Sequence, residues 1–252
     1  MENIEQIITK FEPISLEEMD SVRLLNRTDT KYLMSIEQML KALEDMAAFY
    51  RILEIEKKRT NNYQTLYFDT PDFRFYHSHH NGKLNRRKVR FRKYLDSDLC
   101  YLEIKFKNNK ERTIKKRTKA ADFESVLSEK SKKFIEANSP ISTQNLEPKL
   151  QNQFTRLTFV HKTAKERLTI DLRLKFKTEL NNSDLSNIVI AELKQEKQSS
   201  RSDFINVMRK YHIRPMRISK YCIGTALLNK DLKINGFKPK LLALKKIANG
   251  TI

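Results

Sequence analysis

Four segments of this chain alternate charged and apolar residues with a period of two, and this pattern restricts the fold more than any other feature. A period of two places successive side chains on opposite faces of a β-strand. The four segments are 86–94 (RRKVRFRKY), 100–107 (CYLEIKFK), 111–117 (ERTIKKR) and 167–176 (RLTIDLRLKF). Strict alternation in the last segment predicts Arg173 and Lys175 on the same face as Asp171. Three further strands are predicted over 63–69, 154–160 and 188–194.

Helix signals lie between the strands and towards both ends of the chain. Ser35 with Gln38, like Ser15 with Glu18, forms a capping box of the kind that starts a helix. Helices mixed with mainly antiparallel strands define an α+β protein. The predicted helices cover 36–49, 121–137, 200–211, 218–229 and, in the basic tail, 238–247.

The turn-rich segment 138–148 interrupts the strands without separating two domains. We therefore expect one domain over 1–252, with its core at about 22–228 and a C-terminal basic helical tail at 229–252. A chain of 252 residues is long enough to bury a substantial core.

The chain is strongly basic, with 50 Lys and Arg against 31 Asp and Glu and a formal net charge of +19. Such an excess favours a polyanionic partner, and nucleic acid, an anionic membrane surface and polyphosphate all fit it. A basic but functionally silent surface is the alternative. The chain has only four glycines and neither a Walker loop nor a dinucleotide fingerprint, so side chains must hold any bound phosphate.

Few features of the sequence indicate where in the cell the protein is located. Two cysteines, Cys100 and Cys222, cannot build a disulfide framework, and we expect them to be packed in a strand and a helix face. No apolar run approaches the roughly 20 residues of a membrane span, and the acidic N-terminus lacks the layout of a signal peptide. These features predict a soluble cytoplasmic protein without a membrane segment of its own.

The simplest explanation of the alternation is a sheet with one face in water. Here the polar faces consist mainly of Lys and Arg, and rows of like charge repel unless something neutralises them. A closed barrel would turn these rows inward and cover the apolar faces with helices. Its interior would then need a polyanion or a metal ion, so the pattern favours a tunnel over a wet sheet face.

Carboxylates stand among the cations on the same strand faces. Glu103 precedes Lys105 at the i, i+2 spacing, and Glu192 precedes Lys194 in the same way. Asp171 lies between basic neighbours. Each carboxylate can be a simple ion-pair partner, but carboxylate oxygens are also the ligands of Mg²⁺ or Mn²⁺ bridging phosphates. Glu192, Asp171 and Glu103 are therefore candidate metal ligands.

Nine short motifs resemble, in order, the polyphosphate-polymerase domain of the vacuolar transporter chaperone (VTC) family, a branch of the triphosphate tunnel metalloenzymes or CYTH-like group. No motif is specific alone, but nine in family order over roughly 22–228 are. The motifs are TDTKYLMS (28–35), LYFDTPDFRFY (66–76), KVRFRKY (88–94), YLEIKFK (101–107), IKKR (114–117), FTRLTF (154–159), RLTID (167–171), AELK (191–194) and ISKY (218–221).

The resemblance implies a closed antiparallel β-barrel of about eight strands, with helices packed outside and one helix lining or plugging the tunnel. It implies a metal-dependent phosphotransferase that moves the terminal phosphate of ATP to a growing inorganic polyphosphate chain. Mn²⁺ or Mg²⁺ would be the cofactor, with Glu192 as the best ligand. Coupling to transport would need a separate membrane-protein partner.

The matching motifs also imply which residues form the site. The phosphate-binding residues implied are Lys31, Arg90, Arg92, Lys105, Lys115, Arg156, Arg167, Ser219 and Lys220. The catalytic residues implied are Arg90, Arg92, Lys105, Arg156, Arg167 and Glu192. The wider group has an E-x-E-x-K motif near its N-terminus, and the equivalent here is Arg27-x-Asp29-x-Lys31, which lacks the first carboxylate.

Other residues receive ordinary structural interpretations. His77, His79 and His80 stand beside Asn81-Gly82 and are predicted in a solvated loop rather than a metal site. A cluster of aromatic residues is predicted as core or barrel rim, with base stacking as the alternative. The cluster comprises Tyr67, Phe68, Phe73, Phe75 and Tyr76.

Two other functions stay open at this point. An inorganic or nucleoside triphosphatase of the same fold needs the same charge stabilisation as a polymerase. A non-catalytic module that binds polyphosphate or nucleic acid is the second alternative. Nucleic-acid-binding proteins usually place Lys and Arg on a continuous outer face, whereas here they alternate with apolar residues in many strands. An internal site is therefore favoured, and no nucleic-acid partner is expected.

Overall fold

The computed structural model describes residues 3–21, 28–110, 112–196, 199 and 201–249. These residues form eleven strands and eight α-helices. The strands are β1 (Glu12–Ile14), β2 (Thr28–Ser35), β3 (Tyr50–Leu53), β4 (Asn61–Asp69), β5 (Arg86–Tyr94), β6 (Leu99–Lys107), β7 (Thr113–Ala120), β8 (Glu147–His161), β9 (Glu166–Lys177), β10 (Asn182–Leu185) and β11 (Ile188–Gln195). The helices are α1 (Ile4–Thr9), α2 (Leu16–Ser21), α3 (Ile36–Met46), α4 (Arg74–His80), α5 (Glu129–Asn138), α6 (Asp203–Lys210), α7 (Lys220–Leu228) and α8 (Lys238–Ala248).

All eleven strands belong to one sheet, and eight of them follow each other in the order β2-β11-β9-β8-β4-β5-β6-β7. Each of the eight is antiparallel to its neighbours. Strands β3 and β10 attach to β8 and β9, and β1 pairs in parallel with β3. All seven predicted strands are present, and the prediction of an α+β fold dominated by about eight antiparallel strands is confirmed.

The sheet curves around its interior. The segment at Ile218 and Ser219 contacts both β2 and β5, which are far apart in the sheet order: Lys31 Nζ donates to the Ile218 carbonyl (3.4 Å) and Lys88 Nζ donates to Ser219 Oγ (2.7 Å). Within the described residues, β2 and β7 are not hydrogen-bonded to each other. Instead, the chain before α7 pairs with β2, where Met216 N donates to the Lys31 carbonyl (2.7 Å). The barrel is therefore approximate, without a complete ring of strand hydrogen bonds.

Two apolar clusters cover the outside of the sheet. One packs the outer faces of β2, β8, β9 and β11 against α1, α3 and α6, and it includes Met39, Leu157 and Phe204. The other packs β4, β5 and β6 against α5, and it includes Phe91 and Ile135. These are the apolar halves of the alternating segments, which are buried because helices cover them.

A third apolar cluster lies on the inner face at one end of the curved sheet. Leu150 and Phe176 pack there against Tyr221 of α7 and Leu244 of α8. Almost every residue of α7 is buried, including Gly224, and no residue of the helix is charged after Lys220. Helix α7 therefore plugs this end of the barrel, as predicted. No helix in the described residues is both long and apolar enough to cross a membrane.

The predicted alternation along β9 is wrong after Asp171. Arg173 adopts a left-handed backbone conformation (φ 52°), and the pairing of β8 with β9 shifts at this point. Such a β-bulge inserts one extra residue, so the following side chains exchange faces. Leu174 and Phe176 consequently point into the plugged end of the barrel, while Arg173 and Lys175 are exposed to solvent.

Helix boundaries differ from the predicted ones where side chains fix the ends. The helix predicted over 121–137 begins only at Glu129, because Ser128 caps it and Glu124 holds Ser128 through its backbone N–H (2.7 Å). The helix predicted over 36–49 ends at Met46, because the chain must turn to place Tyr50 in β3, where its side chain is fully buried.

We expect Gly224→Ala to destabilise the protein by about 1–3 kcal/mol, because its Cβ would lie 2.8 Å from Leu150 Cδ2 and even closer to the Phe176 ring. Helix propensity alone predicts the opposite sign, a gain of about 1 kcal/mol. Chemical denaturation measures the change in the free energy of unfolding. In a Phe176→Leu background the cost of Gly224→Ala should shrink, and a stabilised Gly224→Ala protein would show that α7 does not fill the barrel end closely.

Candidate functional site

Charged side chains fill the middle of the barrel interior, next to the apolar plug. Strand register places them side by side: Arg90 opposes Glu103, Glu103 opposes Arg117, and Glu192 opposes Lys31. We call twelve of them the charged layer. It consists of Lys31, Lys88, Arg90, Arg92, Lys105, Lys115, Arg156, Lys194 and Lys220 with Glu103, Asp171 and Glu192.

Asp171 holds the first group of cations. Arg156 donates to both of its carboxylate oxygens (Nε 2.6 Å, a terminal NH₂ 2.9 Å), and Lys220 at the start of α7 pairs with it as well. Burial raises the pKa of Asp171, but Arg156 and Lys220 outweigh burial and hold the pKa well below its usual range. The carboxylate is therefore ionised at neutral pH and joins β8, β9 and α7.

Glu103 holds a second group of cations on the other side of the barrel. Its side chain is fully buried; one oxygen accepts from two Arg90 nitrogens (2.9 and 2.7 Å), and the other pairs with Lys115. Burial opposes ionisation, but Arg90, Arg92 and Lys115 lower the pKa to about 2. Like Asp171, Glu103 thus sets the positions of the cations around it.

Glu192 has the loosest ion pairs of the three carboxylates. Its Oε1 lies 2.9 Å from Lys194 Nζ and its Oε2 lies 3.4 Å from Lys31 Nζ. Its side chain is 18% exposed, against 4% for Asp171 and 0% for Glu103. Burial raises the pKa of Glu192, but Lys31, Lys194 and Lys105 hold it well below its usual value. Glu192 is an ionised carboxylate with room on its solvent side.

Three cations of the layer have no carboxylate partner among the described residues. Burial, together with the neighbouring charge of Lys31, lowers the pKa of Lys105 to about 7, although Glu192 opposes the shift. Burial also lowers the pKa of Lys88, whose ammonium donates to Ser219 Oγ, and that of Arg92, which Arg90 lowers further. These cations are available to a polyanion.

Buried polar atoms without a protein partner lie next to Arg92. The Nε of Arg92, the hydroxyl of Thr65 and the amide of Asn152 have no hydrogen-bond partner among the described residues. The three residues are neighbours in register, because Thr65 pairs with Arg92 on β5 and with Asn152 on β8. Buried polar groups are normally satisfied, so this row is suited to polar ligand atoms.

The structure brings nearly all of the predicted site residues together. Every predicted phosphate-binding cation except Arg167 belongs to the charged layer, and Ser219 caps α7 at its edge. Arg167 lies on the same inner face, opposite Lys194. Lys88 and Lys194 were not predicted as site residues, although both stand in the quoted motifs. Arg27 lies outside the described residues.

The prediction of a solvated loop for the three histidines is wrong. They form the last turn of α4, which starts where the Asp69 carboxylate accepts from the Phe75 and Tyr76 backbone N–H groups (2.8 and 2.9 Å). His79 Nδ1 lies 3.0 Å from Cys222 Sγ, and burial lowers the His79 pKa to about 2.

The burial of the side chains tests the predictions for the cysteines and the aromatic residues. Cys100 and Cys222 are both buried, as predicted. Tyr67, Phe68 and Tyr76 are core residues, which leaves their rings unavailable for base stacking, and Phe73 and Phe75 are partly buried against the apolar clusters.

The residues of the charged layer fit one divalent metal ion only in part. No group of three or more His, Cys, Asp or Glu side chains within the described ranges could hold a metal ion alone. Mg²⁺, however, is commonly bound through one or two carboxylates with substrate phosphates and water. Glu192 suits that role, because it is ionised, partly exposed and loosely paired. Asp171 and Glu103 suit it less well, since both carboxylates are more deeply buried and their ion pairs are closer.

The chain belongs to the VTC domain family, since the model of that family matches residues 26–229. The family resemblance inferred from the motifs is thereby confirmed. No curated protein matches the chain.

Several solved structures are similar to this chain. A proposed adenylyl cyclase from Hippeastrum with a dominant triphosphatase activity is 10% identical, with a TM-score of 0.49 over 82% of this chain and 99% of that chain. A proposed adenylate cyclase from Bacillus halodurans is 12% identical, with a TM-score of 0.47 over 84% of this chain and 97% of that one. Another from Vibrio parahaemolyticus is 11% identical, with a TM-score of 0.47 over 80% and 99%.

Asp171→Asn should lower the free energy of unfolding by about 3–5 kcal/mol, because it leaves two buried cations without their counter-charge. The control is Asp45→Asn, which breaks the more exposed pair with Lys210 and should cost at most about 1 kcal/mol. Chemical denaturation of both variants tests the difference. Equal costs would mean that Asp171 does not hold the charged layer together.

Affinity for tripolyphosphate should fall as the pH rises through and above 7, because Lys105 then loses its proton. Its pKa of about 7 is depressed in the free protein, and a bound polyanion raises it, so binding takes up a proton. Each unit by which the ligand raises this pKa makes the affinity fall about tenfold across the titration.

Calorimetric titrations between pH 6 and 9 compare the wild type with Lys105→Met. Two other groups titrate in both proteins. One is the ligand itself, and the other is Lys220, whose pKa burial lowers to about 8 although Asp171 opposes the shift. The ratio of the two affinities therefore isolates Lys105 and should approach one at high pH. A ratio that stays constant over the whole range would contradict the assignment.

Proposed function

We propose that the protein is a polyphosphate polymerase, which transfers the terminal phosphate of ATP to the end of an inorganic polyphosphate chain inside the barrel. The observation that carries the proposal is the charge imbalance of the charged layer, in which nine cations accompany three carboxylates. A largely buried excess of this kind is costly without a polyanion. Membership of the VTC domain family supports the same substrate class.

The cations are arranged to bind phosphates from several sides at once. Arg90 and Arg92 project from β5, Arg156 from β8 and Lys105 from β6, so one triphosphate can contact three strands of the curved sheet. Arginine binds phosphate oxygens with a planar fork, whereas lysine acts as a point charge. Ser219, at the start of α7, adds a hydroxyl beside Lys88.

The reaction requires charge stabilisation more than acid–base chemistry. A terminal oxygen of the polyphosphate chain attacks the γ-phosphorus of ATP, the bond from that phosphorus to the β–γ bridging oxygen breaks, and ADP leaves. The attacking oxygen is already anionic, so no general base is needed. Positive side chains stabilise the charge that spreads over the equatorial and leaving oxygens.

A divalent metal ion, when bound, would supply further positive charge between the phosphate oxygens. Glu192 is the residue of this chain that would hold it, with Lys31 and Lys194 keeping the carboxylate ionised and oriented. The polyphosphate chain, ATP and Mn²⁺ or Mg²⁺ are thus the proposed ligands of the interior.

The direct test is incubation of the purified protein with ATP and Mn²⁺, followed by gel analysis of polyphosphate and an assay of free phosphate. We expect polymer from the wild type and a loss of about a hundredfold or more in Glu192→Gln, which is the order of loss when one group that stabilises the transition state is removed. Glu129→Gln is the matched control, because Glu129 pairs with Lys132 on the exposed surface of α5, away from the charged layer.

The outcomes separate three functions. Polymer that depends on Glu192 and not on Glu129 supports the proposal. Free phosphate without polymer would make the protein a triphosphatase. Tight binding of polyphosphate without either product would rule out the enzyme and leave a binding module.

A further inference from the structure

Three tyrosines lie on the inner face at the edge of the charged layer, with Tyr63 against the apolar plug cluster and Tyr94 and Tyr101 outside that cluster. Along β5 the inner face continues from Arg90 and Arg92 to Tyr94, and along β6 it continues from Glu103 to Tyr101. Tyr63 of β4 pairs with Tyr94 in register. Two residues along a strand span about 7 Å. Tyr94 therefore lies one side-chain step beyond Arg92, and Tyr101 lies beside Arg92 in register.

The tyrosine rings form a connected row. The ring centroids of Tyr63 and Tyr94 are 4.9 Å apart, and those of Tyr94 and Tyr101 are 6.0 Å apart at an angle of 81°. Tyr63 is already stacked on Phe154 (5.2 Å, 5°). All three tyrosines are partly exposed, unlike the fully buried Tyr50 and Tyr76 of the core. Tyr94 and Tyr101 therefore present aromatic surface at the rim.

Cations accompany the rings. The guanidinium of Arg117 lies 4.7 Å from the centroid of Tyr101, and that of Arg92 lies 5.7 Å from the centroid of Tyr63. Aromatic rings next to Lys and Arg side chains are the combination that binds single-stranded nucleotides, in which the ring stacks on a base and the cation contacts phosphate.

The closed end of the barrel fixes the direction of a bound nucleotide. Leu150, Phe176 and α7 fill that end, so the nucleoside cannot extend past the charged layer on that side. Phosphates among Arg90, Arg92 and Lys105 therefore leave the nucleoside at the tyrosine rim.

We propose that Tyr94 and Tyr101 form a base-stacking subsite for the nucleoside of a triphosphate substrate. This inference rests on the proposed function, because it needs the triphosphate in the charged layer. Every base has a flat π-face, and stacking alone distinguishes bases poorly. ATP and GTP should therefore bind similarly, whereas inorganic tripolyphosphate gains nothing from the rings.

Calorimetric titrations with ATP, GTP and tripolyphosphate test the subsite in the wild type, Tyr94→Leu and Tyr101→Leu. We expect each leucine variant to bind ATP and GTP about tenfold more weakly and tripolyphosphate unchanged. Tyr94→Phe and Tyr101→Phe keep the ring and should keep nucleotide affinity. Thermal unfolding of each variant shows whether it is folded.

The results distinguish a failure of the base-stacking subsite from a failure of the proposed function. A parallel loss of nucleotide and tripolyphosphate binding would show that the tyrosines only support the barrel, and unchanged binding of all three ligands would show that they touch no base. Either result overturns the subsite and leaves the proposed function standing. A wild type that binds neither ATP nor tripolyphosphate would overturn both.

Discussion

The excess of cations inside the barrel is the constraint on which the rest of the structure depends. Among the described residues, Glu103, Asp171 and Glu192 are the carboxylates for nine cations of the charged layer. Each carboxylate binds two cations and remains ionised, so each positions its neighbours without cancelling their charge. The remaining charge destabilises the free protein and becomes favourable only when an anion enters.

The surrounding architecture tolerates this excess. Helices α1, α3, α5 and α6 bury the apolar outer faces of the strands, which supplies the stability that the interior lacks. The bulge at Arg173 turns Leu174 and Phe176 inward, so the same strand contributes Asp171 to the charged layer and apolar side chains to the plug. One curved sheet thus carries both the charged layer and the apolar end that α7 fills.

Most of the fold and much of the candidate site follow from the sequence, because both depend on strand parity. Period-two alternation places Arg90, Lys105 and Glu192 on inner faces without knowledge of the tertiary structure. The bulge at Arg173 was not predictable from this pattern, since it changes the parity without an unusual residue.

Contacts between residues that are far apart in the chain could not be predicted from the sequence either. The packing of His79 on Cys222 joins residues 143 apart in the chain. The tyrosine row could not be predicted from one segment of sequence, because its members come from three strands.

The structure indicates that the cations inside the barrel bind the polyanion. The most direct test measures tripolyphosphate affinity after loss of two interior charges (Arg92→Met with Lys105→Met) or two surface charges of α5 (Lys130→Met with Lys133→Met). We expect a loss of about a hundredfold or more for the interior pair and almost none for the surface pair. Equal losses would show that the polyanion binds on the outside of the protein and not inside the barrel.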